Sequence, residues 1–208
     1  TALHTTPPLT PACGTAQAHD SAAAQVAGRA PYIDDIPETR GTLHAAPILS
    51  TVAHGRLNHV DASAALALPG VRGVVLAGDI PGDPILGAFA HDEPVFAIDT
   101  VQHVGQVIGL VVAETVGQAR RAARQVVLDI TPLPAVLTVH EAMQAQSFVL
   151  PAVRVQRGDA QAGLARATHR LTGQLEVGGQ EHFYLEGQIA YALPQEQQQW
   201  LHIKSRVS

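Results

Sequence analysis

The spacing of apolar and polar positions changes period several times along the chain, and each change marks an element. VIGLVVA, Val107 to Ala113, is apolar throughout, which predicts a strand covered on both faces in the middle of a sheet. A helix is expected directly after it. Thr115 and Gln118 have the T-x-x-Q spacing of a capping box, and Val116, Ala119, Ala122, Ala123, Val126 and Val127 share one face at helical spacing. VVLDIT then supplies another strand, so residues 107–131 read as a compact strand, helix, strand unit.

Upstream, residues 42–52 predict a strand interrupted by Pro47. Asp61 is placed to cap a short alanine-rich helix that Pro69 and Gly70 stop, and Val71 to Leu76 is a further strand. Downstream, a second capping box, Thr138 with Glu141, opens the helix VHEAMQAQ. FVLPAVRVQRGDA reads as extended, and Asp159 caps a helix reaching Arg166. LTGQLEV, residues 171–177, then sets Leu171, Gly173, Leu175 and Val177 on one face and predicts a strand. Ile189, Tyr191 and Leu193 alternate again, PQEQQQ turns the chain and WLHIKS returns, which predicts a hairpin. A hairpin is marginal alone, so the expectation is a second unit whose partner strands are missing. Residues 1–20, rich in Thr, Pro and Ala without periodicity, read as a flexible tail.

Composition narrows the function classes. The chain is 46% hydrophobic and 15% charged, which is globular. Its formal charge is −5, and its basic residues are dispersed apart from Arg120, Arg121 and Arg124, which read as the solvated face of a helix. Neither nucleic acid nor an anionic membrane surface is an expected partner. No apolar run approaches the roughly 20 residues of a membrane span. LTPAC at residues 9–13 has the look of a lipoprotein cleavage site but lacks a basic or apolar lead-in, so a lipid anchor is not expected. With Cys13 alone there is no disulfide framework, and no CxxC exists to hold zinc or an iron-sulfur cluster. The expected compartment is the cytoplasm.

Candidate chemistry concentrates in GGQEHFYLE, residues 178–186. Gly178 and Gly179 after a strand let a backbone approach a bulky ligand or adopt positive φ, or they form an ordinary turn. Gln180 carries donors and an acceptor on a neutral amide, able to hold a polar oxygen without adding charge. Glu181, His182 and Glu186 invite a metal reading, but E-H-x-x-x-E lacks the geometry of H-E-x-x-H. Phe183, Tyr184 and Leu185 read as core anchors. The clusters Asp34-Asp35 and His91-Asp92-Glu93-Pro94 read as turn and cap residues. His54, His59 and His103 form no ligand spacing, and there is no GxGxxG, P-loop or nucleophile elbow.

Taken in order, these segments resemble the molybdenum hydroxylases, the xanthine dehydrogenase and aldehyde oxidase family, and within it the molybdopterin-binding subunit. The resemblance runs over residues 21–203. It is carried by GGQEHFYLEGQIAYALP and supported by AGRAPYIDDIPETRGTLHAAPILS, VAHGRLNHVDASAALALPGVRGVV, VQHVGQVIGLVVAET and FVLPAVRVQRGDA. It implies an α+β chain: an α/β hammerhead domain at residues 21–139, then the truncated start of a molybdenum-cofactor-binding domain at 147–208. It implies molybdenum held by a pyranopterin dithiolene, with Gln180 hydrogen-bonding an oxygen of that centre from outside its ligand shell and Gly178 and Gly179 fitting closely beside it.

The implied activity is purine hydroxylation, hypoxanthine to xanthine to urate, with electrons leaving through iron-sulfur clusters and FAD on a partner subunit to NAD. No catalytic residue is expected in this stretch, because the general-base glutamate and the residues that select substrate belong to the part of the family pattern absent here. Two departures stand out: Val107 where the family usually has proline, and Arg206-Val207-Ser208, where the similarity stops. The chain by itself is therefore expected to be inactive. Competing readings are a non-catalytic interaction module built on the hammerhead, which binds the iron-sulfur and flavin partner, and the product of a degraded gene.

Overall fold

The computed structural model describes residues 13–32, 35–87, 90–180, 189–195 and 198–203. Its elements run α1 (Ala22–Val26), β1 (His44–Leu49), β2 (Gly55–Asp61), α2 (Ser63–Leu66), β3 (Val71–Leu76), a 3-10 turn (Ala77–Asp79), β4 (Ile85–Leu86), β5 (Glu93–Pro94), β6 (Thr100–Val101), β7 (Val107–Ala113), α3 (Val116–Ala123), β8 (Val127–Pro132), α4 (Val139–Gln144), α5 (Ala160–Arg166), β9 (Ala192–Gln195) and β10 (Gln198–Ile203). Every strand pairing described is antiparallel, so the class is α+β as expected. The chain groups in space into one unit of Thr39–Leu175 and another of Thr1–Glu38 with Glu176–Ser208.

In the larger unit two three-stranded sheets, β1-β7-β3 and β6-β2-β8, share one core. β7 is the central strand of the first, and Ile108, Val111 and Ala113 along it are essentially inaccessible to water. The expected interruption at Pro47 does not occur. β1 runs through it, paired with Leu110, because β1 is an edge strand and the missing N–H costs nothing on an open side.

The helix after β7 starts as the sequence expects: Thr115 accepts from the Gln118 N–H at 3.2 Å, and its hydroxyl donates to the Gln118 side-chain oxygen at 2.9 Å. It ends sooner. Ala119 and Ala122 are fully buried, whereas Val116 and Val127 are exposed, and Val127 already belongs to β8. Small residues set the approach, with Ala119 of α3 meeting Ala46 of β1 and Ala113 of β7, so the helix lies close on the sheet. Arg120, Arg121 and Arg124 face solvent, near the helix end where positive charge is favourable.

The strands flanking α3 fall in different sheets. β7 pairs with β1 and β3, while β8 pairs with β2 from Gly55↔Pro132 to Asp61↔Val127. Nothing local in residues 107–131 signals this. β2 itself is not predicted by the apolar pattern. A register shift between Leu57 and His59 puts its two inward apolar residues, Leu57 and Val60, three apart and hides the period of two. His54 donates from Nδ1 to the Pro134 carbonyl at 2.6 Å, fastening the loop before β2 to the end of β8. Among the described residues no buried side-chain polar atom lacks a partner.

Past residue 133 the character changes. The capping box of α4 forms in full, and Asp159 accepts from the Ala162 N–H at 2.9 Å to cap α5. Yet neither helix buries a residue. The strand expected at LTGQLEV does not form: residues 171–177 carry no regular structure and are exposed. A strand needs a neighbour to complete its hydrogen bonds, and no described residue provides one. The hairpin expected after it is present as β9 paired with β10, with Ile203↔Ala192 and His202↔Leu193 in register.

Candidate functional site

Gly178, Gly179 and Gln180 come directly after the unpaired stretch, all three exposed and outside any helix or strand. Neither glycine has positive φ, and a Cβ built on either meets nothing within 4 Å. This chain's own packing therefore makes no demand for glycine there. The contrast with Gly109 is sharp, where a Cβ would fall 2.5 Å from the Val75 carbonyl oxygen. The Gln180 amide has no hydrogen-bond partner among the described residues. Glu181, His182, Phe183, Tyr184, Leu185 and Glu186, the rest of the chemically rich stretch, lie outside the described residues.

Among the described residues no three His, Cys, Asp or Glu side chains gather as a metal site. The donor set at 178–180 is thus a single neutral amide beside two residues without side chains. Such an amide can donate to a metal-bound oxygen or accept from a protonated one, but it supplies no ligand field. It fits a cofactor that brings its own metal ligands and does not fit a metal held by the protein alone.

The other polar clusters are structural. Asp35 accepts from the Tyr32 N–H at 3.0 Å, and Asp34 is outside the described residues. His91, between β4 and β5, pairs at 2.9 Å with Asp83, which lies just before β4, and Glu93-Pro94 is β5 itself. The Ile85 N–H, ahead of His91, holds the exposed Asp83 carboxyl below the usual carboxylate range. An open cleft of about 530 Å³ is lined by Arg56, Leu57, Asn58, Asp99 and Thr100. Sequence reasoning does not single these out, since they come from separate elements and share no motif. Asn58 is already engaged there, donating to Thr131 at 2.8 Å and Asp129 at 3.3 Å.

A family model described as the aldehyde oxidase and xanthine dehydrogenase a/b hammerhead domain matches residues 27–134. The chain belongs to that family. A second model, the molybdopterin cofactor-binding domain, matches residues 139–207. The larger sheet-and-helix body is therefore the hammerhead, and the chain from α4 onward is the start of a molybdopterin-binding domain. Xanthine dehydrogenase/oxidase of Gallus gallus is 43% identical over 176 residues, which are 85% of this chain and 13% of that protein. Xanthine dehydrogenase of Oryza sativa subsp. japonica is 44% identical over 197 residues, 93% of this chain and 14% of that protein. The chain thus spans about one seventh of these relatives. In structure it is similar to aldehyde oxidoreductase from Desulfovibrio gigas, with a TM-score of 0.77, 28% identity, and coverage of 89% of this chain and 23% of that one. Among the described residues no helix of this family member is long and apolar enough to cross a membrane.

Proposed function

We propose that the chain is part of a molybdenum subunit that hydroxylates purines, taking hypoxanthine to xanthine and xanthine to urate. One observation carries the reading: a hammerhead match is followed at once by a molybdopterin-binding match, and inside the second Gly178-Gly179-Gln180 presents an exposed neutral amide. The names of the relatives support purines over aldehydes as substrates. In this reading residues 21–139 are the hammerhead and 147–208 the opening of the cofactor-binding domain, while most of the tail expected at 1–20 lies outside the described residues.

The molybdopterin cofactor, when bound, supplies the two-electron redox chemistry of hydroxylation. Gln180 would hold an oxygen of that group by hydrogen bonding, and Gly178 and Gly179 would leave room beside it. In this reading iron-sulfur clusters and FAD sit on a cytoplasmic partner subunit. The 208 residues alone neither retain the cofactor nor oxidise purine, because a positioned amide is one part of a constellation.

The test has two arms. Metal analysis of the purified chain is expected to find no molybdenum, and a near-stoichiometric amount overturns that half. In a completed subunit, Gln180→Ala is expected to lower kcat about 10- to 100-fold, the usual effect of losing an outer-shell partner. Unchanged turnover removes Gln180 from the site.

A second reading is favoured by the closed core of the hammerhead, which has buried residues from both sheets and no unpartnered buried polar side-chain atom among those described. Such a body can act as a non-catalytic module that binds the iron-sulfur and flavin subunit. Co-purification with that subunit in the absence of molybdenum distinguishes it.

A further inference from the structure

The hammerhead match ends at residue 134 and the cofactor-binding match begins at 139. Around that junction the backbone is fastened on both sides and free in the middle. His54 makes the first fastening with two groups: its carbonyl accepts the Leu133 N–H at 2.9 Å, and its ring Nδ1 donates to the Pro134 carbonyl at 2.6 Å. Both bonds lie just past Gly55↔Pro132, where the pairing of β2 with β8 stops. Pro132 and Pro134 have no N–H to donate and a φ fixed by the ring. Leu133 therefore holds the one amide N–H of these three residues, and it is in use.

Glu141 makes the second fastening. Its carboxylate accepts from the N–H groups of Leu137 and Thr138, both at 3.0 Å, and the Thr138 hydroxyl accepts the Glu141 N–H at 3.2 Å. Between the two fastenings stand Ala135 and Val136. Both are exposed, and neither forms a hydrogen bond with any described residue.

We propose that Ala135–Val136 is a pivot between the hammerhead and the start of the cofactor-binding domain, kept to two residues because His54 and Glu141 tie down the chain on either side. A trans peptide leaves two soft dihedrals per residue, so the direction in which the chain leaves the hammerhead comes down to about four angles. Hinges of this kind concentrate a large φ/ψ change in a few loop residues. Without the His54 ring the pivot gains Leu133 and Pro134, and without the Glu141 carboxylate it gains Leu137 and Thr138. Either loss takes it from two residues to four. The pivot requires the two matched domains, and neither a purine substrate nor a role for Gln180.

Double electron–electron resonance on the full 208-residue chain tests this, with nitroxides on Arg120→Cys in α3 and His140→Cys in α4, both exposed sites, and the exposed Cys13 replaced by Ser. The excursion of a flexible tether grows as the square root of its length. His54→Ala and Glu141→Ala are each expected to broaden the distance distribution about 1.4-fold, and the pair together about 1.7-fold. Asn carries an N–H at the same remove from the backbone as Nδ1, whereas Gln carries it one bond further out. His54→Asn should therefore restore the original width and His54→Gln should not. Asp159→Ala, which removes the α5 cap beyond the labelled helix, should leave the width unchanged.

Equal widths for His54→Ala and His54→Asn overturn the clamp, and with it the proposal. So does a double variant no broader than either single one, or an Asp159→Ala effect as large as that of Glu141→Ala. Urea midpoints taken alongside keep the readouts apart: the distribution should broaden while the hammerhead transition stays in place. Broadening only where that transition is lost also overturns the pivot.

Discussion

Gly109 shows how closely two strands of the hammerhead approach. It sits in mid-strand on β7, in register with Ile48 of β1 on one side and Leu76 of β3 on the other. A Cβ there would meet the Val75 carbonyl oxygen at 2.5 Å and a Leu76 methyl at 2.6 Å, and the first is backbone that cannot rotate away. Gly109→Ala is therefore expected to cost about 1–3 kcal/mol, the range for overpacking a filled core. Gly73 on β3 has nothing within 4 Å of the same position, so Gly73→Ala is the control and should be close to neutral. Urea midpoints of the two variants decide it, and equal midpoints would show that β3 yields. No periodicity argument reaches this level, because the apolar run that reveals β7 treats its glycine only as a gap. At the candidate site the limit is stricter. Composition alone leaves Gln180 a surface amide, and only the order of motifs around it lends it a role.

Among the elements, α4 has a local encoding that can be read in a titration. The Leu137 N–H, then the Thr138 N–H and the Thr138 side chain, hold the Glu141 carboxyl below the usual glutamate range; both N–H groups donate at 3.0 Å. A carboxyl whose folded pKa is depressed contributes stability in full above its unfolded value, and loses it as pH falls through the lower folded one. The α4 start should thus hold at neutral pH and fray progressively below the ordinary glutamate titration. NMR should show the Leu137 and Thr138 amide shifts moving together with a midpoint below that range, and Glu141→Gln should remove the transition. A Glu141 midpoint at or above the ordinary value defeats the assignment. Caps at Thr115, Thr138 and Asp159 are legible in the sequence because donor and acceptor lie three residues apart. The pairing of β2 with β8 is not, because Gly55 meets Pro132 only after the intervening chain has folded, and a bulge blurs β2's own alternation.

For the molecule as a whole, the distribution of buried residues predicts where cooperativity ends. The core of Thr39–Leu175 draws on Ile48, Ala65, Ala97, Val101, Ile108, Val111 and Ala122, with Val126, Leu128 and Ile130 packed against it. No residue from 131 to 180 is buried, although Phe148, Val149, Val153 and Val155 are among the apolar ones. Burial of apolar surface is what couples one segment's unfolding to another's, so residues beyond 133 should contribute little to the hammerhead's stability. Limited proteolysis of the chain is expected to cut first between Ala145 and Val177, and the surviving hammerhead should unfold in urea within about 0.5 kcal/mol of the intact chain. A loss well beyond that would mean the later segment braces the core, and the sharp boundary in burial near residue 131 would then not be a boundary in folding. If the prediction holds, the hammerhead folds as a unit complete in itself.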